Sequence, residues 1–299
     1  MDGHFHIWDV NKFDYPFLKH PENQKVNKTF SIGDYEKEIG KTPVKGAVFV
    51  QCLNGNVEEA KWLCEMAQKH TFIRGVVAGL SLTAGKNQLM NEINVLKGYK
   101  QFCGARHTLD KMDGIEFLQS KELDEACQVL IDNNLTLDLP ISPVAIPAAA
   151  ALARKHRMLK IVIDHMAQPA IASGGTPGWE ESMAELAKAK NVYIKLSGMV
   201  TVAKPDWNTD DFKPYLKKVI EWFEPSHCMW GSDWPICLSK APSLEAVYSL
   251  AVNSLPLHLR DSDLHSILQN SCLKFYRITM VDKERLSSSA DDVDIDQLP

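Results

Sequence analysis

The sequence predicts a (β/α)8 barrel (TIM barrel), the fold in which eight parallel strands alternate with helices. Short apolar runs rich in valine, isoleucine and aromatic residues recur along the chain, and each precedes a segment with helical periodicity. Several runs are apolar on both faces, as expected for strands between a barrel interior and an outer layer of helices. The eight runs lie at residues 3–8, 47–52, 72–78, 101–106, 135–139, 159–164, 192–197 and 227–233.

The segments between these runs predict the outer helices. In residues 116–133 the apolar side chains fall on one stripe at helical spacing, while the charged side chains face away from it. Ser243 is a suitable N-cap for the helix that follows it. The predicted helices are residues 57–70, 87–96, 115–132, 143–157, 179–189, 209–223, 244–252 and 261–276.

The composition excludes several classes of protein. The 299 residues are 45% hydrophobic and 24% charged, which indicates an ordinary folded chain. A net charge of -5 without a dense basic cluster argues against nucleic-acid binding, and no apolar stretch is long enough to span a membrane. Seven scattered cysteines without a C-x-x-C pair indicate reduced thiols. No signal-peptide pattern is evident, so we expect a cytoplasmic protein by default. A small molecule is therefore the expected partner, and a homo-oligomer is left open.

The domain organisation is simple. Residues 1–277 predict a single barrel domain, since no Gly/Ser linker or internal repeat divides them. Residues 278–299 end in an acidic, weakly periodic stretch and predict a disordered tail. Only three residues precede His4, so we expect a short first strand.

The His4-Phe5-His6 segment is the sharpest local signal for chemistry. Residues two apart in a strand point to the same face, so both imidazoles project together while Phe5 points the other way. Two histidines on one rigid edge are suitable metal ligands, although an H-x-H pair also occurs by chance.

Two further strand ends carry titratable side chains. The apolar run Ile161-Val162-Ile163 is followed by Asp164 and His165, and the eighth run ends at Asp233 between two tryptophans. The carboxyl ends of barrel strands build the active site, so His165 and Asp233 are candidate catalytic residues and metal ligands. A structural histidine and a turn-capping aspartate are the alternatives.

Three more strand ends are candidates for substrate contacts. They carry Gln51, Arg106 with His107, and Lys195 with Ser197. Arg106 offers a planar fork suited to a carboxylate or to sugar-like oxygens. Lys195 lies among apolar residues, so we expect it to face the polar barrel mouth, with a strand-end lysine reaching solvent as the alternative.

Taken together, five segments resemble the amidohydrolase-related lactonases of the amidohydrolase superfamily. This group includes L-fuconolactonase-like, L-rhamnonolactonase-like and 2-pyrone-4,6-dicarboxylate lactonase-like enzymes. The segments occur in order at the predicted strand ends and, with the final helix, cover nearly the whole chain. They are DGHFHIWD at 2–9, GARH at 104–107, IDHMAQP at 163–169, YIKLSG at 193–198 and MWGSDWP at 229–235.

The resemblance implies a hydrolase that opens a cyclic ester. It implies that His4, His6, His165 and Asp233 form the active centre, with Asp233 moving the proton of an activated water. The chain has no lysine on the fourth strand and no histidine ending the fifth, so one divalent ion, zinc or manganese, is expected rather than two. Catalysis without metal, a non-oxidative decarboxylase and a catalytically silent binding barrel are the alternatives.

Overall fold

Eight parallel strands, hydrogen-bonded in chain order, form the centre of the fold. The computed structural model describes residues 1–107 and 114–279. Each predicted run overlaps one observed strand, so the predicted strands are confirmed. They are β1 (Asp2–Phe5), β2 (Ala47–Val50), β3 (Ile73–Gly79), β4 (Phe102–Arg106), β5 (Thr136–Leu139), β6 (Ile161–Ile163), β7 (Val192–Leu196) and β8 (Cys228–Trp230).

Backbone contacts between β1 and the segment after β8 close the ring of strands. The amide of His6 donates to the carbonyl of Trp234 at 2.7 Å, and the amide of Asp233 donates to the carbonyl of His4 at 2.8 Å. Phe5 and Trp234 form a parallel bridge beside these hydrogen bonds. The (β/α)8 barrel is therefore confirmed, and its seam lies between the first and the last strand.

Helices connect the strands and pack around the outside of the barrel. Their apolar faces are buried and their charged faces are exposed, as their sequence patterns predict. They are α1 (Ile32–Ile39), α2 (Val57–Lys69), α3 (Lys86–Leu96), α4 (Ile115–Gln119), α5 (Lys121–Asp132), α6 (Ile146–Lys155), α7 (Trp179–Leu186), α8 (Lys213–Phe223), α9 (Leu244–Ser254), α10 (Asp261–His265) and α11 (Ser271–Tyr276).

The helices differ from the prediction in three places. The helix predicted at 115–132 is broken at Ser120, whose backbone is extended and whose hydroxyl accepts from the amide of Leu123 at 3.2 Å to begin α5. A π turn over Ser266–Asn270 separates α10 from α11. Helix α1 was not predicted, because Tyr35 is its only buried residue and the apolar pattern is correspondingly sparse.

The segment between β1 and α1 is anchored to α2 by a buried carboxyl group. Tyr15 donates its hydroxyl to Glu59 Oε1 at 2.6 Å, and Gln51 donates its amide to Glu59 Oε2 at 2.8 Å. Asn56 caps the same helix end through the amide of Glu59 at 2.9 Å. Glu59 thereby joins the first long connection to the second strand.

The barrel interior has an apolar lower part and a polar upper part. Towards the amino ends of the strands, Val48, Val162 and Met229 pack with Phe275 of α11 in one buried cluster. Towards the carboxyl ends, the inward positions carry charged or titratable side chains that are also buried, namely His4, Arg106, Asp138, Asp164 and Lys195. The polar side chains at the carboxyl ends therefore lie next to a closely packed apolar layer.

Two expectations from the sequence, on membrane spans and on the C-terminal tail, can be compared with the described residues. Every helix within 1–107 and 114–279 is too short or too polar to cross a lipid bilayer. The predicted tail at 278–299 lies outside the described residues except for Ile278 and Thr279, so its disorder stays a prediction.

Gly79, in β3, lies where the structure leaves no space for a side chain. A Cβ there would lie 1.9 Å from the backbone carbonyl oxygen of Leu53, which cannot move as a side chain can. We expect Gly79→Ala to lower the free energy of unfolding by about 1–3 kcal/mol. At Gly98 a Cβ would meet nothing within 4 Å, so Gly98→Ala should change it by less than about 0.5 kcal/mol. Urea unfolding of both variants checks this, and equal midpoints would contradict it.

Glu59 should make the stability depend on pH. Burial raises the pKa of the Glu59 carboxyl to about 7 from 4.5. Between these values the folded state holds a proton that the unfolded chain has lost, so this group's contribution to stability falls as the pH rises. Because glutamine does not ionise, Glu59→Gln should gain about 2 kcal/mol relative to the unsubstituted protein between pH 5 and pH 8.

Urea unfolding at several pH values measures this difference. The adjacent Glu58→Gln, at an exposed position, controls for the loss of one carboxylate from the same helix end. A constant difference between Glu59→Gln and the unsubstituted protein across this pH range would show that Glu59 is ionised in the folded state throughout.

Candidate active site

Three histidines and one aspartate meet at the carboxyl ends of the barrel strands. His4 lies in β1 and His6 just after it, His165 follows β6, and Asp233 follows β8. All four side chains are buried or nearly so. Phe5, between the two histidines, points outward and stacks on Tyr35 with ring centroids 4.1 Å apart. The alternation of a strand thus places both imidazoles of β1 inside the barrel.

The Asp233 carboxylate faces the three imidazole rings. Its Oδ1 atom is 3.5 Å from His6 Nε2, 3.9 Å from His4 Nε2 and 3.9 Å from His165 Nε2. The Nε2 atoms of His4 and His6 are 3.2 Å apart. The structure therefore brings together the four residues that the sequence analysis selected for the active centre.

These distances fit a divalent metal ion. Four atoms bound tetrahedrally to zinc lie about 3.3 Å from one another, since each bond is about 2.0–2.1 Å long. The four separations given above run from 3.2 to 3.9 Å. His4, His6 and Asp233 form one candidate ligand group, and His4, Asp164 and His165 form another. Imidazole nitrogens with one carboxylate suit zinc and also other divalent metals.

Left-handed backbone conformations help to direct two of these side chains. His165 has φ 54° and begins a run of four residues with positive φ, and Asp233 has φ 57°. Such conformations of non-glycine residues cost about 1–3 kcal/mol each and occur preferentially at functional sites. Gly198 makes room for the His165 ring, because a Cβ there would lie 2.6 Å from His165 Nδ1.

The Nδ1 atoms of His6 and His165 each contact a residue at the end of a neighbouring strand. His6 Nδ1 lies 2.6 Å from the carbonyl oxygen of Val50, which can only accept a hydrogen bond, so Nδ1 carries the proton. The Nε2 atom of His6 then presents its lone pair to the cluster. His165 Nδ1 is 2.8 Å from the hydroxyl of Ser197, which fixes the orientation of that ring.

A fully buried ion network lies directly beneath His4. The ammonium of Lys195 is 2.6 Å from Asp138 Oδ2, 3.1 Å from Asp164 Oδ1 and 3.0 Å from His4 Nδ1. Tyr276 donates its hydroxyl to Asp138 Oδ2 at 2.6 Å. Two carboxylates thus compensate a lysine that is 0% exposed.

Burial and charge set the protonation states in this region. Burial lowers the pKa of His4 well below its usual value, and Lys195 lowers it further. Burial likewise lowers the pKa of His165, although Asp233 opposes this effect. Burial would raise the pKa of the Asp164 carboxyl, but Lys195 and His4 outweigh it and hold that pKa well below its usual range. The two imidazoles are therefore neutral and the Asp164 carboxylate is charged near neutral pH.

Arg106 and His107 lie beside this cluster at the end of β4. Arg106 Nε is 3.4 Å from Asp164 Oδ2, and Nη1 donates to the carbonyl of Gln51 at 3.3 Å. The His107 ring is partly exposed, stacks on Phe117 with centroids 4.7 Å apart, and has Nδ1 3.4 Å from the carbonyl of Leu80. Both residues are therefore at the same end of the barrel as the histidines.

Two of the predicted substrate contacts have different surroundings from those expected. Gln51 is fully buried, and its side chain bonds to Glu59, to the carbonyl of Asn56 and to the amide of Gly79. Lys195 lies below the histidines rather than at the barrel mouth, because its pairing with Asp138 and Asp164 compensates its buried charge. Both side chains are therefore bonded to buried partners among the described residues.

The sequence analysis missed the acidic residues that support the site. Asp138 lies in β5, Asp164 directly follows β6, and both contact Lys195. Asp2 accepts from the amides of His4 and Ser232 at 3.1 and 2.9 Å. A charged residue within an apolar strand was the available signal, since such a residue must find a partner inside the barrel.

Comparison with known proteins extends these findings. The chain matches the amidohydrolase family over residues 1–278. It is 31% identical to an L-fucono-1,5-lactonase of Burkholderia ambifaria over 236 residues, which are 79% of this chain and 80% of that protein. An L-fucono-1,5-lactonase of Burkholderia multivorans is 28% identical over 263 residues, covering 84% of this chain and 86% of the relative.

The fold is also similar to solved structures. A zinc-bound amidohydrolase from Burkholderia multivorans superposes with a TM-score of 0.86 at 25% identity, covering 93% of this chain and 99% of that chain. The resemblance seen in the sequence motifs is thereby confirmed. Because the family match extends over nearly the entire sequence, this chain belongs to the amidohydrolase family.

Proposed function

We propose that this amidohydrolase opens the ring ester of a sugar-acid lactone with water. The observation that carries the proposal is the position of Asp233 Oδ1, within 3.9 Å of three imidazole Nε2 atoms. A carboxylate held at such a cluster can take a proton from an attacking water. Two relatives that match most of the chain are L-fucono-1,5-lactonases, so a lactone bearing hydroxyl groups is the favoured substrate class.

One divalent ion is assigned to His4, His6 and His165, with Asp233 as the fourth group. The lone pair on His6 Nε2 and the short distances from Asp233 to the three histidines support this assignment. When bound, such an ion lowers the pKa of water and stabilises negative charge on a carbonyl oxygen. Zinc is the proposed ion, because a related structure with a TM-score of 0.86 contains it.

Asp233 acts first as the general base and then as the general acid of the reaction. Its carboxylate takes a proton from water as the water oxygen bonds to the carbonyl carbon of the lactone. The protonated carboxyl then gives this proton to the ring oxygen as the ester C–O bond breaks. The product is an open-chain hydroxy acid, and Asp233 is again ionised for the next cycle.

Arg106 and His107 are proposed to orient the substrate. Among the described residues, the Arg106 guanidinium contacts Asp164 and the carbonyl of Gln51. A guanidinium has five N–H groups, so these contacts leave others for substrate oxygens. His107 offers a partly exposed ring at the same strand end.

Gln51 and Lys195 are proposed to support the site rather than to bind substrate. Gln51 joins β2 to Glu59 and to Gly79, and Lys195 supports His4 and Asp164 from below. Neither a decarboxylase nor a silent barrel is favoured, since the two relatives described above are lactonases. A cytoplasmic location stays a prediction.

Asp233→Asn should remove most of the lactonase activity. Asparagine tolerates the left-handed backbone at this position, so the fold should be kept while the proton acceptor is lost. We expect kcat/KM for a sugar-acid lactone to fall by about 10²–10⁴-fold, measured with a pH indicator. Asp206→Asn, at an exposed position, is the matched control. Retained activity of a folded Asp233→Asn protein would refute the assigned role.

Metal should stabilise the protein through the histidine cluster. After removal of metals with a chelator, zinc at about 100 times its Kd should stabilise the fold by about 2.7 kcal/mol. His6→Gln should lose most of this gain, whereas His258→Gln, at an exposed position, should keep it. Thermal unfolding with and without zinc measures the effect. Equal stabilisation of the two variants would place the ion elsewhere, and lactonase activity of the stripped enzyme would show that the ion is dispensable.

A further inference from the structure

The Nδ1 atom of His4 has two neighbours that make opposite demands on it. The Lys195 ammonium, at 3.0 Å, can only donate to it, whereas the Asp164 carboxylate, with Oδ1 at 3.3 Å, can only accept from it. A neutral imidazole carries one proton, so Nδ1 serves one of these neighbours at a time. Which neighbour it serves decides whether Nε2, on the metal side of the ring, carries a proton or a lone pair.

The hydrogen bonds around His4 favour the Lys195 partner. His6 donates from Nδ1 to the carbonyl of Val50 at 2.6 Å, so its Nε2 must accept. His4 Nε2, 3.2 Å away, is then the donor, and His4 Nδ1 accepts from Lys195 at 3.0 Å. A continuous chain of hydrogen bonds therefore runs from Lys195 through His4 and His6 to Val50.

Asp164 takes no part in this chain of hydrogen bonds. It is 0% exposed, yet neither carboxylate oxygen has a hydrogen-bond partner among the residues that the structure describes. Lys195, His4 and Arg106 lie 3.1 to 3.4 Å from these oxygens as ion pairs, but none of them is aligned for a hydrogen bond. A buried carboxylate oxygen without a hydrogen bond is costly, so the position of Asp164 calls for a donor.

We propose that Asp164 is a positioning residue that receives a hydrogen bond from His4 Nδ1 when a divalent ion binds His4 Nε2. Binding requires lone pairs on the Nε2 atoms of both His4 and His6, which the metal-free chain of hydrogen bonds does not provide. The proton of His4 must then lie on Nδ1, and Asp164 Oδ1 is the acceptor placed to hold it there. Lys195 favours the metal-free tautomer and thereby weakens metal binding.

Asp138→Asn is the matched control for Asp164→Asn. Like Asp164 it is fully buried, carries one carboxylate and contacts Lys195, at 2.6 Å. Among the described residues its contacts are with Lys195 and Tyr276, and none is with His4. Asp138→Asn and Asp164→Asn therefore remove the same charge from beneath the site, but only the second replaces the charged acceptor that faces His4 with a neutral amide.

The experiment measures zinc affinity by competition with a chromophoric chelator at one fixed pH. We expect Asp164→Asn to weaken zinc binding by about 10–100-fold, the usual effect of losing the partner of a metal-bound histidine. The loss of zinc affinity in Asp138→Asn should be about ten times smaller than the loss in Asp164→Asn. Equal losses in the two variants would show that Asp164 acts on zinc binding only through its charge. This result would overturn the proposal.

Nitrogen-15 NMR of the histidine rings tests the tautomer directly and needs no variant to fold. In the unsubstituted protein, the proton of His4 should lie on Nε2 without metal and on Nδ1 with zinc, the two ring nitrogens being distinguished by their shifts. A His4 proton already on Nδ1 in the metal-free unsubstituted protein would overturn the proposal.

This inference rests on the metal site of the proposed function, but the two can fail separately. A protein that hydrolyses lactones and binds no divalent ion would overturn the role of Asp164 and leave the lactonase function intact. A protein with the expected zinc affinities and His4 tautomers that hydrolyses no lactone would do the reverse.

Discussion

The hydrogen bond from the Asp233 amide to the His4 carbonyl is the interaction on which the site depends. It closes the barrel between the first and last strands, and neighbouring strands are only about 4.8 Å apart. Side chains from both strand ends can therefore meet at one point. Asp2 strengthens this seam, because its carboxylate accepts from the amides of His4 and Ser232. Burial raises the pKa of Asp2, an effect that these hydrogen bonds oppose.

The polar upper part of the barrel is the second constraint. Lys195 would be very unfavourable in a dry interior on its own, but Asp138 and Asp164 flank it on neighbouring strands. Arg106 adds a second positive charge beside Asp164. His4 therefore lies on a compensated ion network, while Val50 and Ser197 hold the rings of His6 and His165. This arrangement fixes the three rings before any metal or substrate arrives.

Much of this molecule could be predicted from local pattern. The eight apolar runs located every strand, and the position of His165 and Asp233 at strand ends marked them for the active centre. The break at Ser120 and helix α1 were missed. In both cases a capping side chain, Ser120 or Ser31, begins the helix, and such caps are short signals that ordinary surface residues share.

The sequence by itself determined the fold class, the inward direction of His4 and His6, and the membership of the family, because these depend on period-two alternation and on motif order. Only the tertiary structure gave the partners of Lys195 and Gln51. Both end predicted strands and resemble substrate contacts in the sequence, yet each is bonded to buried partners distant in the chain. Such pairings depend on which strands are neighbours and on their register, and no local pattern contains that information.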